Sequence, residues 1–257
     1  MGQIIKNFKK YRFLLSELVV KDIKLKYRRS YLGILWTLIE PLLTMIVLYL
    51  VFSKLRKNND RTFAVYILTG RLLYSYFSHA TKSAMKSIRV NAQMIKKVYV
   101  PKYIYPLASV ISQFITFLIS LIVLAAVAIV LKVKPTVYML YAIVPIIILF
   151  FMALGVGLIL ATMAVFFRDM EYLWDVILMI IMYCSAIFYY PSMVSDNSWI
   201  LRMNPLYAVI LNFRNSILEG VPLDSGALLY SAIFSLIALT VGVLLFYKKQ
   251  DRFILYL

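Results

Sequence analysis

Long apolar runs separated by short polar stretches dominate this chain. A helix of roughly 18 to 25 apolar residues spans about 30 Å of hydrocarbon. Six stretches read that way, over residues 32–52, 63–80, 107–131, 137–167, 172–190 and 227–247. The second is the weakest, because it carries Arg71 and His79. Shorter patterns lie between the spans. In residues 1–30, Ile4, Phe8, Tyr11, Leu15 and Leu18 recur every three or four positions, with Lys6, Lys9, Lys10 and Arg12 on the other faces. This predicts an amphipathic helix lying in the membrane interface and held by lipid, with a disordered basic arm as the alternative. Residues 94–102 alternate apolar and basic blocks within a cytoplasmic segment, 81–106. They read either as a short helix that docks a cytoplasmic partner or as a solvated positive loop. Between the fifth and sixth spans, Trp199 to Leu201 and Leu206 to Leu211 are apolar but too short to cross. Asn204 before Pro205 separates them and Gly220 ends the second. Two short extracytoplasmic re-entrant helices fit this pattern, and so does a plain extracytoplasmic helix hairpin.

The predicted fold class is therefore an all-α membrane protein with six transmembrane helices, in a single domain over 1–257. Composition agrees: 63% of the 257 residues are hydrophobic and 15% charged, and mean hydropathy is +0.85. The net charge of +17 sits beside apolar runs rather than on a soluble face, which points to a membrane surface and away from nucleic acid. With the N-terminus inside, nineteen Lys and Arg fall in cytoplasmic segments against eight outside. That asymmetry predicts both termini in the cytoplasm. Lys54, Arg56, Lys57 and Arg61 run against it. The N-terminal dozen residues are basic without a signal-peptide apolar region, so the first span is expected to be retained.

Candidate chemistry is sparse. No G-x-x-x-x-G-K-[ST] run occurs, and Gly155 and Gly157 lie within an apolar run where helix packing explains them. His79 is the lone histidine and Cys184 the lone cysteine, so neither a metal cluster nor an internal disulfide is expected. The acidic residues form no paired-carboxylate site, and a catalytic subunit is not expected. Glu40 and Arg71 are the ionisable groups placed at depth, where a lone charge costs about 3 kcal/mol or more and mutual pairing offers relief.

Taken in order, the basic N-terminal segment, Tyr31-x-Gly33-x-x-Trp36-x-x-x-x-Pro41, residues 91–101 with Met94-Ile95-Lys96-Lys97, the Phe166-Phe167-Arg168-Asp169 corner and Asn204-Pro205 resemble the ABC-2 type permeases that export cell-surface polysaccharides. Within that family the resemblance is to the O-antigen and teichoic acid branches more than to the capsule branch. Arg71 stands where such permeases usually carry an apolar residue.

The resemblance implies a bacterial inner-membrane exporter. Two copies of the permease would pair with two copies of an ATP-binding cassette ATPase, which would bind ATP and Mg while this chain holds no cofactor. Docking would fall on Asn91, Met94, Ile95, Lys96, Lys97, Val98 and Tyr99, with Arg168 and Asp169. The first and fifth spans would wall a pore lined by Trp36, Glu40, Tyr49, Phe52, Tyr183, Phe188, Tyr189 and Tyr190, whose rings offer flat faces to sugars. An aromatic belt facing lipid is the plain alternative for such rings. Lys24, Lys26, Arg28 and Arg29 would receive the diphosphate of a polyprenyl-linked O-antigen polysaccharide. Teichoic acid, capsular polysaccharide and small-lipid or drug export remain open as rival cargoes.

Overall fold

The computed structural model describes residues 2–28, 30–55, 62–98, 100–191 and 199–256, with side chains from residue 11 onward in the first helix and up to residue 52 in the second. The described residues are helical throughout their ordered elements and contain no strand. In chain order the helices are α1 (Gly2–Tyr27), α2 (Trp36–Leu55), α3 (Thr62–Val90), α4 (Ala92–Lys97), α5 (Ile104–Val130), α6 (Ile143–Phe166), α7 (Met170–Tyr183), α8 (Trp199–Met203), α9 (Pro205–Arg214), α10 (Ser225–Lys249) and α11 (Phe253–Tyr256). Four stretches among the described residues are long and apolar enough to cross a bilayer: Gly33–Phe52, Ile104–Val130, Val137–Phe166 and Ser225–Tyr256.

Two expected spans take a different form. The second continues as one helix through Val90, 29 residues in all, or about 44 Å at 1.5 Å per residue. Its inner third, Lys82 to Arg89, is the start of what the sequence suggested was a long loop. Good helix formers and an amphipathic face carry the helix on past the apolar run. The fifth ends at Tyr183 after 14 residues, about 21 Å, and residues 184–190 continue as turns. Ala186, at φ 47°, occupies the left-handed region there, and its carbonyl is taken up by tertiary partners rather than by the helix ladder.

Helix α3 sits at the centre, packed against α2, α5, α6, α7 and α9, with Val65, Leu68, Leu73, Ala80 and Ile88 fully enclosed on its several faces. The closest crossing joins α6 to α10. A Cβ added to Gly155 would come within 2.4 Å of the Leu239 nitrogen, and one on Gly242 within 2.5 Å of the Gly155 carbonyl. The buried face of α10 is small over much of its length, Ser231, Ser235, Ala238 and Gly242, and Ser235 Oγ donates to the Ile148 carbonyl at 3.2 Å. This is the small-residue packing by which helices associate where lipid removes the usual hydrophobic drive.

At the end of α3 that leads into α4, a second apolar cluster gathers Leu18 and Val19 of α1, Ile88, Ile95, Tyr105, Phe246 and Phe253. The amphipathic reading of the N-terminal segment holds for its described side chains. Leu18 and Val19 are buried and Tyr11, Leu14, Leu15 and Ile23 pack beside them. Ile4 and Phe8 fall outside the described side chains.

Candidate functional site

The break expected at Asn204 is built as the sequence suggests, and it does more than cap a helix. Its side-chain oxygen accepts from the Leu206 amide at 3.0 Å, the bond that satisfies an orphan donor at a helix start. Its amide nitrogen reaches back to the end of α7, donating to the Cys184 carbonyl at 3.0 Å and Ser185 Oγ at 2.9 Å. Gly220, at φ 61°, closes the following turn, and a Cβ there would meet Thr136 at 2.7 Å.

The turn after α7 is held from the other side by Arg214, a residue the sequence reading counted only as loop charge. It is 3% exposed and has no carboxylate in salt-bridge contact among the described residues. Its Nη1 donates to the Ala186 carbonyl and its Nη2 to the Tyr66 carbonyl, each at 3.0 Å. Nε reaches Thr69 Oγ1 at 3.4 Å, and the guanidinium lies 3.4 Å from the Tyr66 ring centre. The planar, delocalised guanidinium suits such a carbonyl cage better than a compact ammonium would. Gly70 leaves the space for it, because a Cβ there would lie 2.5 Å from Arg214 Nη2. An arginine directly after an apolar helical run was the sequence signal available.

The expected pore residues fall into two groups. Tyr49, Phe52, Tyr183, Phe188, Tyr189 and Tyr190 converge with Phe63 and Tyr66 of α3 into one aromatic cluster. Phe52 stacks on Phe188 at 5.4 Å and 8°, Tyr190 tilts over Tyr66 at 4.3 Å, and Tyr49 packs on the same group. Tyr189 donates its hydroxyl to the Tyr183 carbonyl at 2.8 Å, and the Tyr183 ring is 57% exposed. Trp36 and Glu40 lie at the opposite end of α2, both exposed.

Around Glu40 is a polar cleft of ≈ 60 Å³ shared by the end of α1, α2, α3 and α5, with Lys26, Glu40, Arg71, His79, Gln113 and Thr116 in its wall. It has room for a small polar group or a few waters. Glu40 and Arg71 both face it, but Arg71 donates to Met182 Sδ at 3.7 Å and lies 5.8 Å from the Tyr74 ring centre, so the pairing of the two is not the arrangement seen. Beside it a groove of ≈ 610 Å³ is walled by Ile23, Leu32, Ile34 and Leu35 and charged by Lys24 and Arg28. The basic residues expected to receive a diphosphate are thus split between two neighbouring sites that share Tyr27. Arg29 and Tyr99 lie outside the described residues.

The expected docking segment is a single short helix, α4, joined to α3 through Asn91. Asn91 points into the fold: its Nδ2 donates to the Ser87 carbonyl at 2.8 Å and its Oδ1 accepts from Lys21 Nζ at 3.0 Å. Ile95 is buried in the second apolar cluster, beside Leu18 and Val19 of α1. Met94, Lys96, Lys97 and Val98 remain outward and exposed, as do Arg168 and Asp169 at the α6–α7 corner. The short helix is thus pinned by one apolar residue, Ile95, and keeps its cationic face exposed.

Several helices of membrane-spanning length, with charged residues gathered at one end and aromatic ones at the other, define a multi-pass membrane protein. The chain belongs to the ABC-2 type transporter family, whose family model matches residues 14–218. It is 31% identical over 244 residues, 93% of each chain, to an O-antigen export system permease protein of Klebsiella pneumoniae. To the O-antigen export permease of Myxococcus xanthus it is 25% identical over 256 residues, covering 98% of each chain. A polysialic acid transport protein of Escherichia coli matches at 23% over 258 residues, 95% of this chain and 96% of that protein.

Proposed function

We propose that this chain is the membrane permease subunit of an ATP-driven exporter that moves polyprenyl-diphosphate-linked O-antigen polysaccharide across the bacterial inner membrane. The observation that carries the reading is the outward face of α4, with Met94, Lys96, Lys97 and Val98 exposed at the inner end of the central helix, in a chain similar along nearly its whole length to O-antigen export permeases.

In this reading the chain is one transmembrane domain. Helices α2, α3, α5, α6, α7 and α10 are the six crossings, α1 lies in the interface, and α8 and α9 re-enter from the outer side. Both termini are cytoplasmic, as the excess of Lys and Arg on that side requires. Two copies of an ATP-binding cassette ATPase dock on α4 and the Arg168–Asp169 corner and bring ATP and Mg. Two permease copies face each other across α2 and α7, whose outward apolar faces, Leu43, Val47 and Val51 on one and Leu173, Val176 and Ile180 on the other, are exposed in the single chain. A two-fold axis closes such a pair into a pore. The outer aromatic cluster offers ring faces for weak, repeated sugar contacts as a polymer slides.

The groove with Lys24 and Arg28 and the cleft with Lys26 and Arg71 take the lipid end: an apolar wall for the prenyl chain and cations for the diphosphate. The deciding experiment reconstitutes the chain with its ATPase in proteoliposomes and follows ATP-dependent uptake of lipid-linked polymer. Trp36→Ala with Tyr190→Ala is expected to slow uptake about tenfold with assembly intact. Uptake at the wild-type rate from that variant, or a Lys96→Glu/Lys97→Glu variant that still binds the ATPase normally, removes the reading. The similarity to a polysialic acid transport protein makes capsular polymer the rival cargo, and teichoic acid is the other. All three are compared in the same assay.

A further inference from the structure

Helix α7 is fastened to α3 in an unusual way. The two make little close backbone contact, and the face of α7 away from α3 is exposed and apolar through Leu173, Val176, Ile177 and Ile180. Trp174 and Leu178 of α7 pack into the core with Phe77 of α3, and long polar side chains bridge the two helices in antiparallel order along nearly the whole of α7. Lys86 and Arg89 both pair with Glu171, the former at 3.0 Å, and Lys82 pairs with Asp175 at 2.7 Å. Next, buried Trp174 donates Nε1 to Thr81 Oγ1 at 3.0 Å, and Tyr74 donates its hydroxyl to the Leu178 carbonyl at 3.0 Å. Past the helix end, Tyr66 donates to the Ala186 and Tyr189 carbonyls at 3.0 and 2.9 Å. All the ion pairs seen among the described residues join these two helices. The spacing is helical on both sides: Lys82, Lys86 and Arg89 fall on one face of α3, and Glu171 and Asp175 are one turn apart on α7.

The basic end of this ladder is continuous with α4. Only Asn91 separates α3 from α4, and the Met94 and Ile95 amides both donate to the Asn91 carbonyl at 3.0 Å. Asn91 is in turn tied to Ser87 within α3, so a displacement of α4 carries the inner end of α3 with it. The ion pairs are partly solvated, with side-chain exposures of 39% and 56% for Lys82 and Asp175. Such pairs contribute little to fold stability. Their register still fixes where α7 stands relative to α3. A close-packed apolar seam would resist sliding, whereas a ladder of exchangeable polar contacts allows a second register.

We propose that the Lys82, Lys86 and Arg89 ladder to Glu171 and Asp175 is the mechanical link by which movement of α4 repositions α7, with Glu171 as the principal positioning residue. This rests on the reading of α4 as the ATPase-docking helix. It adds the route by which docking reaches the proposed pore wall. Coupling of this kind needs a two-state element that both ends bias, and in this proposal the ladder is that element.

The test uses the permease with its ATPase in proteoliposomes, reading three quantities: ATPase co-purification, ATP turnover, and polymer moved per ATP. Glu171→Gln is expected to keep co-purification and ATP turnover while polymer per ATP falls about fivefold or more. Asp175→Lys is expected to do the same, and Lys82→Asp with Asp175→Lys to recover to within about twofold of wild type, because the swapped pair re-forms. A purely structural role would instead lower folded yield and ATPase co-purification in the single variants, and the swap would restore those quantities rather than polymer moved per ATP alone. Wild-type polymer per ATP from Glu171→Gln, or a folded double swap without recovery, overturns the proposal. Loss of ATPase binding in Glu171→Gln also overturns it, since the ladder would then serve assembly. If the wild-type chain itself binds no ATPase, it is the docking reading that fails, ahead of the ladder.

Discussion

The α6–α10 pair and the α3–α7 pair solve the same problem, holding two helices together, by different means. Between α6 and α10 the backbones approach so closely that glycine is required at Gly155 and Gly242, and small side chains line the seam. Between α3 and α7 the backbones stand further apart: Trp174 and Leu178 supply the apolar contact, and aromatic hydroxyls, an indole and charged side chains reach across beside it. A seam of backbone contacts has one good register, because any shift meets atoms already in place. Side chains that bond to carbonyls and carboxylates can exchange partners. In the proposed coupling the first pair is the fixed frame and the second the adjustable wall.

That contrast can be broken at several points, and the largest effect is expected in the frame. Gly155→Val would drive side-chain atoms into the Ala238–Leu239 backbone, and overpacking without room to relax is expected to cost about 3 kcal/mol. Purified yield of monodisperse protein should collapse; a variant with wild-type yield and melting temperature would show the seam to be soft. Arg214→Met is expected next, at about 2 kcal/mol, since the Ala186 and Tyr66 carbonyls lose their charged donor. A thermal melt in detergent checks it, and Arg214→Lys should recover only part, because an ammonium does not present the planar fork.

Trp174→Phe tests the wall. It keeps the ring and removes the bond to Thr81, so stability should fall by about 1 kcal/mol. A drop as large as that of Gly155→Val would mean that α7 is part of the frame after all. Smallest is Asp22 of α1. Burial raises its carboxyl above the usual carboxylate range, against a lowering from the Ser109 hydroxyl and from Lys21. A carboxyl raised in this way favours the folded state while protonated, and that contribution is lost as pH climbs through the raised value. Asp22→Asn should therefore melt slightly above wild type at neutral pH and level with it near pH 4. An asparagine variant that melts lower at neutral pH would show the ionised form to be the one the fold wants.

Much of this was legible from the chain. The apolar runs that became α2, α5, α6 and α10 announce themselves by length, because a bilayer sets a minimum that ordinary core helices do not reach. Asn204-Pro205 and Gly220 mark their breaks through cap and turn chemistry that is local to a few residues. The short helix at 92–97 was visible as an apolar and basic alternation, with Ile95 turned inward and Lys96 and Lys97 outward. The extension of α3 through Val90 was missed because its inner third is polar, and a hydropathy reading sees a loop where an amphipathic helix continues.

Partners across the fold were beyond that reach. Lys82, Lys86 and Arg89 have helical spacing in the sequence, as do Glu171 and Asp175, but nothing local says that the two sets meet. Nor does the sequence reveal that Arg214 turns inward to two carbonyls, or that Phe52 and Phe188, more than a hundred residues apart, stack. The sequence by itself determined the class of protein, four long apolar helices and the break at Asn204–Pro205, because those follow from solvent preference and local backbone chemistry. Only the tertiary structure decided which charges pair, which rings touch and which helix is bound by a ladder in place of a seam. Those outcomes depend on distances between segments remote in the chain, and no short-range pattern encodes them.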